Sequence, residues 1–153
     1  MEIFNLKDKQ GYLKEVMELE YNEWASKSSE NKNERINKKI DKYFNFIDDT
    51  YFCKLILIEE NKLVGFISIF PHDCLEEPDL TPWYATMFVK KEYRGRGYSK
   101  ILNDAILKEA KSRGIKKLYL KTDLDNYYEK FGAKYIKNIN EREKLYMFYI
   151  SID

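Results

Sequence analysis

Met87-Phe88-Val89-Lys90-Lys91-Glu92-Tyr93-Arg94-Gly95-Arg96-Gly97-Tyr98-Ser99 joins an apolar run to a patterned helix, and its reading decides the fold. Two glycines at a strand-to-helix junction free backbone N–H groups to point at a ligand. A helix N-terminus attracts anions, and Arg94 and Arg96 reinforce that attraction. The stretch therefore reads as a cradle for phosphate or pyrophosphate. It is not a P-loop, which needs G-x-x-x-x-G-K-[ST]. Nor is it a dinucleotide fingerprint, whose third glycine would fall at Lys100 and which belongs on a first strand–helix turn.

Working outward, Trp83–Val89 reads as a long strand ahead of the cradle. Tyr98–Ser112 reads as a helix that buries Ile101, Leu102, Ala105 and Ile106 and stops at Gly114. Lys117–Thr122 follows as a strand, so the pair forms a parallel crossover with an expected right-handed connection. Upstream, Phe52–Ile58 and Leu63–Phe70 make a hairpin around the turn Glu60-Asn61-Lys62. A loop over His72–Pro82 carries Asp73, Glu76, Glu77 and Asp79. Earlier still come a short strand, Met1–Leu6, and a helix marked by Leu13, Val16, Met17, Tyr21 and Trp24. A polar turn over Ser26–Asn33 leads to a second helix marked by Ile36, Ile40, Tyr43, Phe44 and Ile47. Downstream, Asn126–Phe131 is a short helix ended by Gly132. Two last strands flank Asn140-Glu141-Arg142, the second with Leu145, Met147 and Tyr149 on one face. The order β-α-α-β-β-β-α-β-α-β-β implies an α/β (α+β) fold. It is a mixed, mostly antiparallel sheet with helices on both faces, in one domain spanning 1–153.

Composition sets the bounds. The chain has 153 residues, 44% hydrophobic and 35% charged, which fits a globular domain with a real core. Net charge is +1, so no global field recruits nucleic acid or an anionic membrane, and any anion site must be local. Cys53 and Cys74 lack metal-ligand spacing, and a single histidine argues against a zinc site, so no metal is expected. No apolar run approaches membrane-spanning length and the first residues lack a signal-peptide pattern. The expectation is a cytoplasmic, reduced protein. Sheet pairing or exchange of the final strand could make a homodimer.

Val89 to Ser99 resembles the acetyl-CoA signature of the GCN5-related N-acetyltransferases, the GNAT superfamily. That signature is [Q/R]-x-x-G-x-[G/A] after the family's fourth strand, and here Ser99 stands at its last position. A second resemblance follows. Leu118-Tyr119-Leu120-Lys121-Thr122-Asp123, then Tyr127-Tyr128-Glu129-Lys130-Phe131-Gly132-Ala133, is similar to the family's closing motif, with Ala133 where an aromatic is usual. Both motifs occur in the right order and at the right spacing.

The resemblance implies a chemistry. Trp83–Val89 and Lys117–Thr122 would splay apart, and coenzyme A would lie in the gap with its pantetheine arm imitating a strand. Backbone N–H groups of Arg94, Gly95, Arg96, Gly97, Tyr98 and Ser99 would hold the pyrophosphate. Lys90, Lys91, Arg96 and Lys100 would either screen the nucleotide phosphates or remain surface charge. The N–H of Phe88 or Val89, at a bulge, would face the thioester oxygen. Tyr128 matches the family's tyrosine acid for the leaving thiolate, or else only packs against the cofactor. Tyr127 would take a core position. Many relatives carry a glutamate base on the strand that Trp83–Val89 represents, and here that strand has no carboxylate. His72, Asp73, Glu76, Glu77, Asp79 or a water chain are the candidates. The acidic loop, with Trp83, Tyr84 and Trp24, would suit a cationic amine. The implied activity is transfer of acetyl from acetyl-CoA to an amine of a small molecule or peptide. The missing carboxylate keeps a non-catalytic acyl-CoA-binding module as the alternative. RNA binding through Arg94 and Arg96 is disfavoured by the charge balance and the lack of an RNA-binding signature.

Overall fold

A computed structural model describes residues 1–25 and 31–151. Most of the polar turn expected over Ser26–Asn33 lies outside the described residues. At its end, the Asn31 side chain accepts a hydrogen bond from the Asn33 N–H at 2.7 Å and caps the second helix.

Seven strands form one sheet in the order β1-β2-β3-β4-β5-β7-β6. They are β1 (Glu2–Asn5), β2 (Cys53–Glu59), β3 (Lys62–Phe70), β4 (Trp83–Val89), β5 (Lys117–Thr122), β6 (Lys134–Asn138) and β7 (Lys144–Tyr149). The helices are α1 (Leu13–Trp24), α2 (Lys32–Phe46) and α3 (Tyr98–Ser112). The element order matches the expected one, except that the short helix expected over Asn126–Phe131 is a 3₁₀ turn over Tyr128–Phe131.

Helices cover both faces, because the apolar stripes point both ways. On one face Leu102, Ile106 and Ala110 of α3 pack on Leu55, Leu57, Ile67, Ile69 and Leu118. On the other, Leu13, Val16 and Met17 of α1 and Ile36 and Tyr43 of α2 pack on Ile56, Ile58, Leu63 and Phe66. A sheet buried on both faces reads as continuous apolar runs, which β2 and β3 show.

Local chemistry explains two departures from expectation. The β2–β3 hairpin turns on two residues, not three: Glu60 and Asn61 have φ of 51° and 65°, and Lys62 is already paired with Glu59. Positive φ at both central residues matches the right-handed twist of the flanking strands. In β7 both faces are buried, so Tyr146 and Phe148 join the α3-side core while Leu145 packs with Trp83 and Cys74. Tyr149, expected on one face with Leu145 and Met147, is exposed where they are buried. The strand lies inside the sheet between β5 and β6.

Every neighbouring strand pair is antiparallel except β4–β5. That parallel pair is in register only at Trp83↔Tyr119, where the Tyr119 N–H donates to the Pro82 carbonyl at 3.1 Å. Beyond this point no further pair joins the strands, and Tyr84–Met87 and Leu120–Leu124 line a common cavity. On its other side β4 is pressed closely to β3. A Cβ at Gly65 would lie 2.4 Å from the Phe88 carbonyl oxygen and 3.2 Å from the Val89 Cα. Both obstacles are backbone, so Gly65→Ala must displace the end of β4. We expect a loss of about 1–3 kcal/mol in urea unfolding, as for other overpacked cores. Wild-type stability in that variant would contradict the close approach.

Candidate active site

The gap between β4 and β5 opens into a cavity of about 930 Å³ bounded by α1, α2, the end of β3, and residues 120–128. Three features of the chain meet there.

The first is the cradle. Gly95 and Gly97 have φ of 79° and 81°, and a Cβ at either would meet nothing within 4 Å. The left-handed backbone alone demands glycine. Gly97 caps α3 with no side-chain hydrogen bond, and the first turn of α3 holds no acidic residue. The N–H groups of that turn are therefore open to an anion, and the fit to a pyrophosphate is good. The side chains are less available than the sequence suggests. Arg94 Nε donates to the Val89 carbonyl at 2.9 Å and its guanidinium lies over Phe88, so it shapes the loop. The Tyr98 ring is buried and its hydroxyl donates to Glu59 at 2.7 Å, so only its N–H can serve the cradle. Ser99 is half-buried in the first turn. Among the cations expected to screen phosphates, Lys90 pairs with Glu15 and Lys100 with Asp104. Arg96 lies over the Tyr93 ring, and Lys91 is exposed.

The second feature is a bulge in β4, but it precedes the expected place. Phe66↔Phe88 and Gly65↔Val89 are regular pairs, whereas the register slips between Phe88 and Ala85. The extra residue therefore falls at Thr86–Met87, and Thr86 has φ of 49°, uncommon for a β-branched residue. The Lys90 N–H donates to the Val64 carbonyl at 2.9 Å. Alternation along an antiparallel pair then directs the Phe88 N–H to Phe66 and turns the Val89 N–H toward the gap. Of the two expected positions, Val89 has the suitable orientation and Phe88 is occupied by the sheet.

The third feature is the Tyr128 wall. Tyr128 lines the cavity and packs edge-on against Tyr84, with ring centroids 5.8 Å apart. Burial pushes its phenol up to about 12, so it stays protonated at neutral pH. Tyr127, expected in the core, is half-buried beneath the Lys130 ammonium, 4.1 Å from its ring centroid.

The acidic loop divides. His72 and Asp73 line the cavity, and Glu76, Glu77 and Asp79 do not. Glu76 accepts from the Asn140 amide at 3.1 Å and Glu77 pairs with Lys137, so both carboxylates tie the loop to the β6–β7 hairpin. Trp83 is fully buried with its indole N–H on the Leu80 carbonyl, so it is no part of an acceptor wall. Trp24 does line the cavity, and its ring meets Phe88 edge-on at 6.2 Å. Burial raises the Asp73 carboxyl to about 6, opposed by Lys121 and Lys42.

Sequence reading missed Glu20, Lys54 and Thr86. Lys54 and Glu20 are each 3% exposed and form an ion pair at 2.9 Å on the cavity wall. Lys54 Nζ also donates to Ser68 Oγ at 2.9 Å, and Ser68 Oγ lies 2.6 Å from Thr86 Oγ1. Burial lowers the Lys54 pKa, and Glu20 opposes that shift. The signals were present: a lysine interrupts the apolar run Cys53–Ile58, and Glu20 falls on the stripe of Leu13, Val16 and Met17. Among the described residues no group of metal-ligating side chains is found.

The sequence model of the acetyltransferase (GNAT) family matches residues 13–133. N-alpha-acetyltransferase 30 of Schizosaccharomyces pombe is 28% identical over 101 residues, and the match spans 63% of this chain and 63% of the length of that relative. The crystal structure of an aminoglycoside 6'-N-acetyltransferase complexed with coenzyme A superposes with a TM-score of 0.71 at 19% identity, covering 99% of this chain and 98% of that one. A ribosomal-protein-alanine N-acetyltransferase from Brucella melitensis gives 0.71 at 14% identity, over 97% and 99%. These structural likenesses carry the fold.

The buried carboxyl generates a prediction. Asp73 has a folded pKa near 6 against an unfolded value of 3.8. The folded state holds the proton more tightly, so the stability linked to protonated Asp73 is complete below about pH 4 and lost as pH rises through 6. Asp73→Asn should therefore gain about 1–2 kcal/mol over wild type above pH 6 and nothing near pH 4. Urea unfolding at the two pH values measures it. An equal difference at both would refute the assignment.

Proposed function

This chain belongs to the acetyltransferase (GNAT) family, and we propose that it moves the acetyl group of acetyl-CoA directly to a primary amine of a small molecule or peptide. The carrying observation is the gap between β4 and β5. An uncapped glycine cradle follows one end of it, and a protonated tyrosine lines the cavity into which it opens.

In this reading the Gly95–Ser99 backbone holds the pyrophosphate of coenzyme A, and the thioester reaches the bulge of β4. An alkylammonium titrates near ~10.4, so the acceptor must lose a proton before attack. Asp73 is ionised at neutral pH, lines the cavity and accepts that proton directly or through a water. The amine nitrogen then forms a bond to the thioester carbon, and the Val89 N–H faces the developing oxyanion. The nitrogen, cationic after attack, releases its second proton to solvent, and collapse of the tetrahedral species breaks the C–S bond and leaves a neutral amide. The departing thiolate takes a hydrogen bond, and then the proton, from Tyr128, which solvent reprotonates. A phenol pushed up to about 12 is a firm donor that does not ionise prematurely. The absence of a carboxylate on β4 is met by Asp73, which lines the same cavity.

Calorimetry with acetyl-CoA tests the cosubstrate, and no binding at millimolar ligand would sink the reading. Binding without acetylation across a broad amine panel would favour a non-catalytic acyl-CoA module instead. Tyr128→Phe should lower kcat by roughly 100-fold or more, as for loss of a general acid, with acetyl-CoA affinity within about two-fold. Unchanged turnover removes Tyr128 from the acid role.

A further inference from the structure

Glu20, Lys54, Ser68 and Thr86 form one line of polar contacts from α1, through β2 and β3, to the bulge of β4. An ammonium has donors and no acceptor. Ser68 Oγ therefore accepts from Lys54 at 2.9 Å, and a hydroxyl polarised by a cation is the stronger donor of the pair, which favours Ser68 as donor to Thr86 Oγ1, 2.6 Å away. Ser68 is fully buried, so that proton has nowhere wetter to go. Thr86 then accepts at this contact, and its hydroxyl hydrogen is left to donate elsewhere. Thr86 is half-buried and lines the same cavity as Tyr128. Its left-handed φ of 49° sets it at the turn of the bulge, three residues before the Val89 N–H that faces the gap.

We propose that the Thr86 hydroxyl donates a hydrogen bond to the acyl oxygen of the bound thioester and strengthens it as negative charge develops there. Lys54 and Ser68 are positioning residues: they fix which way the chain of hydroxyl protons runs and place an ammonium at its far end. Glu20 keeps the buried ammonium compensated, because removing one partner of such a pair leaves an unpaired charge in the interior. A hydroxyl polarised as a donor does not take the proton of the ammonium acceptor, so the base stays elsewhere in the cavity. The inference rests on the acetyl-CoA reading above.

Two measurements test it. The first is the infrared carbonyl stretch of acetyl-CoA labelled with ¹³C at the thioester carbon, bound without an amine. A donor to the oxygen lowers that frequency. Thr86→Val should move the band back toward its free value, and Thr86→Ser should hold it. The second is turnover. Thr86→Val should lose roughly 100- to 1,000-fold in kcat, as for removal of one oxyanion donor, with the KM for acetyl-CoA within about two-fold. Thr86→Ser should stay within about three-fold of wild type by keeping the same donor. The paired Glu20→Gln/Lys54→Met variant avoids an uncompensated buried charge and should give an intermediate loss in kcat. A Thr86→Val enzyme with wild-type band and kcat overturns the inference, as does a Thr86→Ser enzyme as impaired as Thr86→Val. Failure of the wild type to bind acetyl-CoA overturns the reading and the inference together. Binding and turnover by wild type with no change in Thr86→Val overturns the inference alone.

Discussion

The single register pair between β4 and β5 governs the site. Trp83 against Tyr119 is where two parallel strands stop being neighbours. Up to that point the sheet is continuous, and past it the two strands no longer pair with each other. The divergence needs β4 held firmly on its other side, and Gly65 allows that by letting the β3 and β4 backbones approach closely. It also needs β5 held by β7, which is in register over the whole length of β5. The cradle, the bulge and the Tyr128 wall each owe their position to this geometry.

Much of it was legible in the chain. Two glycines between an apolar strand and an amphipathic helix can do little except turn left-handed and open a helix N-terminus, and both have positive φ. The apolar runs of β2, β3 and β4 announced their own bounds to within one or two residues. What stayed hidden depends on partners that a sequence does not name. The burial of Tyr146 and Phe148 was not read from the sequence, because nothing in their own strand says that β6 and β5 flank it. The bulge lies at Thr86–Met87 because β3 sets the register, and β4 alone carries no mark of it. Trp83 looked suitable for an acceptor wall, yet its indole N–H is taken by Leu80 in the loop just before it. Glu76 and Glu77 looked like bases, yet each has a partner across the molecule.

The buried ion pair is the costly element of this architecture. Desolvating Lys54 and Glu20 together works against stability, and isosteric apolar residues at such places are often as good or better. A pair of this kind, joined by two hydroxyls to the strained turn of β4, links an energetic burden in the core to the geometry of the cavity. Strain at functional positions persists where surrounding structure over-determines it. The Phe70 ring adds to that restraint, with the Lys54 ammonium 4.7 Å from its centroid.

A sheet that parts in its middle has inner edges as well as outer ones. An unpaired edge is ordinarily a hazard, because a strand from another molecule can dock on it and propagate. Here the two inner edges converge at a fully buried tryptophan, and the space between them narrows to a single register pair. A polypeptide strand carries side chains to both faces and cannot descend into that wedge. A slender arm with amides but no side chains can. The geometry that solicits such a guest thus also shields the chain from self-association along the inner edges of its own sheet.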